Sequence, residues 1–98
     1  MKIRGHDKLE EFTRKHTDAR GWSGLWISVV EDAKWGKFQD IKSRYPSASH
    51  LHPNWVIFNV KGNEYRLEVK VLYKTGVVRV EWVGTHEEYN RRSRERRG

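Results

Sequence analysis

The 98-residue sequence contains no cysteine, so it offers neither a disulfide framework nor a thiolate metal site, and nothing in it calls for an oxidising compartment. Long apolar runs are missing too. The longest, LWISVV at residues 25–30, falls far short of the roughly 20 residues of a membrane span. The opening MKIRGHDKLEEF is charged throughout, unlike an export signal. A cytoplasmic protein without membrane association is therefore expected. Proline occurs only twice, at Pro46 and Pro53, which concentrates breaks in regular structure between them. Negative charge is in deficit, with 13 Asp and Glu against 20 Lys and Arg and a pI near 9.9, so polyanions are the expected partners. The terminal stretch NRRSRERRG holds five of those arginines against one glutamate, leaving the body only mildly basic. Residues 1–90 read as a single domain and residues 91–98 as a basic, disordered tail, adding non-specific attraction to nucleic acid or ordering on a partner protein.

What is present changes character along the chain. MKIR suits a short strand, and Asp7 followed by Glu10 has the form of a capping box opening a helix, with Leu9, Phe12 and His16 on one face. Gly21 is expected to end that helix and Ser23 to cap a second, in which Trp26, Val29, Val30 and Ala33 form a buried stripe closed by Gly36. Residues 37–54 read as a long connection with one helical turn. From Trp55 the period becomes two: WVIFNV, YRLEVKVLY and VVRVEWV are β-branched and aromatic, as three strands of a meander require. Helices first and strands second favour an α+β fold, an N-terminal strand and two-helix hairpin packed on an antiparallel sheet.

A two-residue turn at Gly62 and Asn63 would pair Asn59 with Arg66 and Trp55 with Lys70. Leu67, Val69 and Val71 then take the core face, and the cations face outward. Matching apolar residues across to the last strand puts Arg79 and Glu81 on the same open surface, provided that the loop near Gly76 is even-numbered or bulged. By the same alternation Val78, Val80 and Trp82 fall on the core side and Val83 on the open side. A solvated antiparallel face carries such charges without any function. Here, however, the next residues, GTHEEYN, bring His86 and Tyr89 to the end of the same sheet.

FNVKGNEYRLEVKV at residues 58–71, followed by VEWVGTHEEYN at residues 80–90, resembles the HigB toxin family of RelE-like messenger-RNA interferases. The combination of FN, GN, YRL and GTH with EY carries the resemblance, which extends over most of residues 1–90. It implies a RelE-like fold and the toxin of a bacterial type II toxin-antitoxin pair. Such a toxin cuts messenger RNA, commonly on the translating ribosome, and is neutralised by a helix-turn-helix antitoxin of the HigA kind. The chemistry this demands is a base for the ribose 2′-hydroxyl, an acid for the departing 5′-oxygen and cations for the phosphorane, with no metal or other cofactor. His86, Tyr89 and Glu81 are the titratable candidates, Arg66 and Lys70 the catalytic cations, and Arg79, Asn59, Trp55, Arg91 and Arg92 the RNA-binding set. Glu81 departs from the family, where a basic residue is usual two positions before Val83. It implies altered or weakened cleavage, acting as a base or quenching Lys70.

Two other function classes fit the same composition: a non-catalytic basic module gripping RNA or ribosome, and an interaction protein whose tail docks an acidic partner. His50 and His52 have a metal-like HxH spacing but no carboxylate or thiolate beside them, so a polar loop explains them. Periodicity assigns Trp26 and Trp82 to the core, leaves Trp22 and Trp35 flanking the second helix, and sends only Trp55 to the open face.

Overall fold

Residues 55–85 form the strands that their period of two demands. The computed structural model describes the backbone of residues 1–97 and the side chains of residues 1–95. Strands β3 (Trp55–Val60), β4 (Tyr65–Leu72) and β5 (Val77–Thr85) make an antiparallel meander. Asn59 pairs with Arg66 and Trp55 with Lys70, the register expected from the sequence. Leu72 pairs with Val77 across residues 73–76, an even loop, which sets Lys70 opposite Arg79. Two short strands complete the sheet. β1 (Lys2–Arg4) joins β5 in parallel, and β2 (Ser49–Leu51), unforeseen within the connection, joins β3 antiparallel, giving the order β1-β5-β4-β3-β2. The fold is thus α+β and RelE-like in layout, with a mixed sheet of five strands among the described residues.

Helix α1 (His6–Lys15) starts earlier than the expected capping box: its N-cap is Gly5, and no side chain caps it. Glycine is required there. Its φ is +82°, and a Cβ would lie 2.7 Å from the Val80 carbonyl oxygen. The chain then passes through a 3₁₀ turn (Thr17–Ala19) into α2 (Arg20–Asp32), so Gly21 lies inside the second helix rather than ending the first. Ser23 does not cap α2 but is buried within it. The apolar stripe overrides both local signals, because burying Trp26 and Val30 fixes the helix more strongly than one cap. Trp26 is fully buried with its ring 5.6 Å from that of Phe58, and Val56, Val60, Leu67, Val69 and Val71 complete the core face. Helix α3 (Phe38–Arg44) buries Ile41 in the same core. No helix among the described residues is long and apolar enough to cross a membrane.

The upper half of β5 departs from simple alternation. The register shifts between Glu68 and Val69, so Glu81 is an extra residue without a partner on β4. Trp82 therefore pairs with Glu68 on the open face, not in the core where periodicity assigned it, while Val83 turns inward and packs against the core. Residues 91–97, expected as a disordered tail, continue the helix α4 (His86–Arg97), which runs on from β5 without a break.

Candidate functional site

Cross-strand pairing arranges the open face in rows. Asn59, Arg66 and Gly84 form one; Ile57, Glu68 and Trp82 the next; Trp55, Lys70 and Arg79 the third, which Arg4 of β1 extends. Like charges opposite one another repel. In the third row the Lys70 ammonium lies 5.2 Å from the Trp55 ring centroid, and Arg79 Nε donates to the Glu81 carboxylate. The bulge brings that carboxylate to Arg79, and Lys8 holds the bulged backbone by donating to the Glu81 carbonyl at 3.3 Å. Of the two roles expected for Glu81, a base or a partner for Lys70, the second is corrected by the structure: its partner is Arg79.

Helix α4 begins with the capping box that Asp7 and Glu10 fail to make. Glu88 accepts from the Thr85 backbone N–H at 2.8 Å, and the Thr85 hydroxyl accepts from the Glu88 N–H at 3.1 Å. The backbone donor holds the Glu88 carboxyl below its ordinary range. Gly84 is necessary just before this turn, since a Cβ there would sit 2.5 Å from the Trp82 ring. His86, half-buried, is the first helical residue, anchored by its N–H to the Glu64 carbonyl at 3.1 Å.

One turn later Tyr89 lies 6.3 Å from Trp82, with the Arg66 guanidinium 5.9 Å from the Tyr89 ring. Arg66 is itself aimed by Asn63, whose amide oxygen accepts from Nη2 at 2.6 Å, and burial lowers its pKa from the usual guanidinium value. Arg92 stacks over Trp82 at 5.2 Å and donates from Nε to Glu68 at 2.8 Å.

Contacts sort the expected site residues into two groups on one face. Arg66 and Tyr89 meet near the start of α4, where His86 also lies; Trp55, Lys70, Arg79 and Glu81 form the neighbouring group. Asn59 sits in register beside Arg66. Arg91 points outward, 4.0 Å from Glu87. Arg92, expected to contact RNA, keeps a partly exposed side chain and pairs with Glu68, a fully buried carboxylate that sequence reading passed over. A carboxylate in mid-strand between two cations of the same face was its signal.

A second feature lies between α1 and β5, an open cleft of about 430 Å³ lined by Lys8, Phe12, His16, Trp82 and Glu88 among others. His16 stacks on Phe12 at 4.4 Å. Below it the Tyr65 hydroxyl donates to Asp18 at 2.7 Å, which pushes the phenol up to about 12 and holds the Asp18 carboxyl down.

No curated protein matches the chain. The family described as HigB_toxin, RelE-like toxic component of a toxin-antitoxin system, matches residues 24–92, a span that takes in most of α2, strands β2 to β5 and the start of α4 through Arg92. The chain belongs to the HigB toxin family.

Proposed function

We propose that this toxin is an endoribonuclease that cuts messenger RNA on the open face of its sheet, by metal-independent attack of a ribose 2′-hydroxyl on the adjacent phosphate. A toxin-antitoxin family implies an antitoxin partner; that this partner is a helix-turn-helix protein of the HigA kind, and that the ribosome presents the RNA in the cytoplasm, are parts of the proposal. Lys70, Arg79 and Arg66 supply positive charge to the phosphorane, Arg66 through a planar fork suited to phosphate. His86 acts as acid or base, since an imidazole can both give and take a proton. Tyr89 serves as proton donor or as a stacking surface for a splayed base, and Trp55 as a second such surface. Arg91 adds backbone attraction from the exposed side of α4. Glu81 occupies Arg79, so RNA must displace a carboxylate to reach that cation, which attenuates the enzyme.

The observation that carries this reading is the Lys70 and Arg79 row lying beside the Arg66 and Tyr89 pair, at the junction where β5 delivers His86, in a chain of a RelE-like toxin family. The test is to incubate RNA with purified protein in EDTA, with and without ribosomes, and map the ends. Products with 5′-hydroxyl ends, lost in His86→Ala, are expected. Uncut RNA in every condition, bound in a salt-sensitive manner by folded protein, would support the non-catalytic module instead.

A further inference from the structure

Helix α4 has little with which to pack. Its sequence HEEYNRRSRERR contains one apolar side chain, Tyr89, so a hydrophobic stripe cannot hold it to the sheet. A polar helix of 12 residues is also marginal on its own. Among the described residues its anchoring contacts are polar and aromatic: the Thr85 and Glu88 box and the His86 N–H to Glu64 at its start, Tyr89 against Trp82 and Arg66, and Arg92 to Trp82 and Glu68. Tyr89 and Arg92 are spaced i, i+3 and share a face, so whatever fixes one fixes the other.

Glu68 is the one fully buried charged residue among the described residues, in the middle of a strand whose flanking open-face residues, Arg66 and Lys70, are both half-exposed. Withdrawing a carboxylate from water is costly unless a partner meets it. We propose that Glu68 is a positioning residue, which through Arg92 fixes α4 on the sheet and so sets Tyr89 beside Arg66 and His86 at the end of β5. The two partners are unequal: the Arg92 side chain is 38% exposed and Glu68 is not exposed at all. Removing the Glu68 charge lets Arg92 swing into water and loosens the helix, whereas removing Arg92 takes from the buried carboxylate its charged partner on α4.

Hydrogen exchange on the full chain tests this directly. Glu68→Gln should speed exchange of the residue 87–95 amides by about tenfold or more while β3 to β5 keep their protection. Replacing both partners by leucine should restore protection of α4, because an apolar pair can substitute for a buried ion pair but not for half of one. Should Glu68→Gln not fold, Arg92→Lys, which keeps the charge and loses the fork, should loosen α4 in the same direction.

The RNA arm rests on the ribonuclease reading. There Glu68→Gln should lower kcat about tenfold with KM within about twofold, and this loss should fail to add to that of Tyr89→Phe, since both act through one helix. Exchange of α4 as slow as in the wild type, or full additivity with Tyr89→Phe, would overturn the proposal. A wild-type protein that cuts no RNA would contradict the ribonuclease reading alone and leave the exchange result to decide the role of Glu68.

Discussion

Strand β4 presents Leu67, Val69 and Val71 to one side of the sheet and Arg66, Glu68 and Lys70 to the other, and the two sides are closed in different ways. On the first, α1, α2 and α3 bring Leu9, Phe12, Trp26, Val30 and Ile41 onto a continuous apolar surface. On the second, among the described residues, α4 is held by a capping box, the His86 N–H to Glu64, ring and cation–ring contacts of Tyr89 and Arg92, and the ion pair to Glu68. Apolar burial is non-directional and shared over many residues, so it specifies a fold and tolerates local change. Directional polar contacts place individual groups, and each one lost is felt at the site it aims. The apolar core therefore lies on one face of these strands, and the proposed chemistry on the other.

The sharpest way to break this comparison is to remove a group from the open face and ask whether the fold notices. His86→Ala and Arg66→Ala should each lower RNA cleavage by about 10²- to 10⁴-fold, with little movement of the thermal midpoint. A midpoint that falls in step with activity would mean that the open face also carries the fold. The converse is Trp26→Ala, which opens a cavity against Phe58 and should cost about 3–5 kcal/mol in urea unfolding. At low denaturant the surviving folded fraction should still cut RNA at the wild-type rate.

Glu81→Gln frees Arg79 from its carboxylate and should tighten RNA binding by up to about fivefold, the scale of an exposed ion pair worth about 1 kcal/mol. Unchanged affinity in a salt-controlled titration would show that the carboxylate does not compete with RNA. Smallest of all is the helix start. The Glu88 carboxyl is held below its ordinary range, so its contribution is present above the usual glutamate value and is lost as the pH falls through the depressed one. Below about pH 4, α4 should fray before the sheet does, as read by amide exchange. Glu88→Gln, which keeps a capping acceptor, should cost only a few tenths of a kcal/mol at neutral pH.

The β3–β4 register was legible because two signals agreed, the turn residues Gly62 and Asn63 and the alternation of LEVKV, and together they placed Asn59 opposite Arg66 and Trp55 opposite Lys70. The pairing of Lys70 with Arg79 depended on the length of the next loop, which sequence alone did not fix. Trp82 was misplaced because a single bulged residue at Glu81 reverses every side chain beyond it, and VRVEWV reads as unbroken alternation. The true capping box, Thr85 with Glu88, stood in THEE in the same form as the false one at Asp7 and Glu10. What separated them was tertiary: Gly5 must turn tightly against Val80, whereas the chain leaving β5 has room to be capped by its own side chains. Arginine content hid α4, since composition marks such a stretch as solvated, whereas the buried carboxylate of Glu68 and the Trp82 ring draw Arg92 to the sheet.

The most direct measurement is hydrogen exchange of the protein bound to a 2′-deoxy oligonucleotide that it can hold but not cut. Protection gained over β4 residues 66–70, Arg79 and the first turn of α4, and lost again in 0.5 M salt, is the expected result. Protection confined to α2 and α3, with the open face exchanging as in the free protein, would contradict the assignment of chemistry to that face.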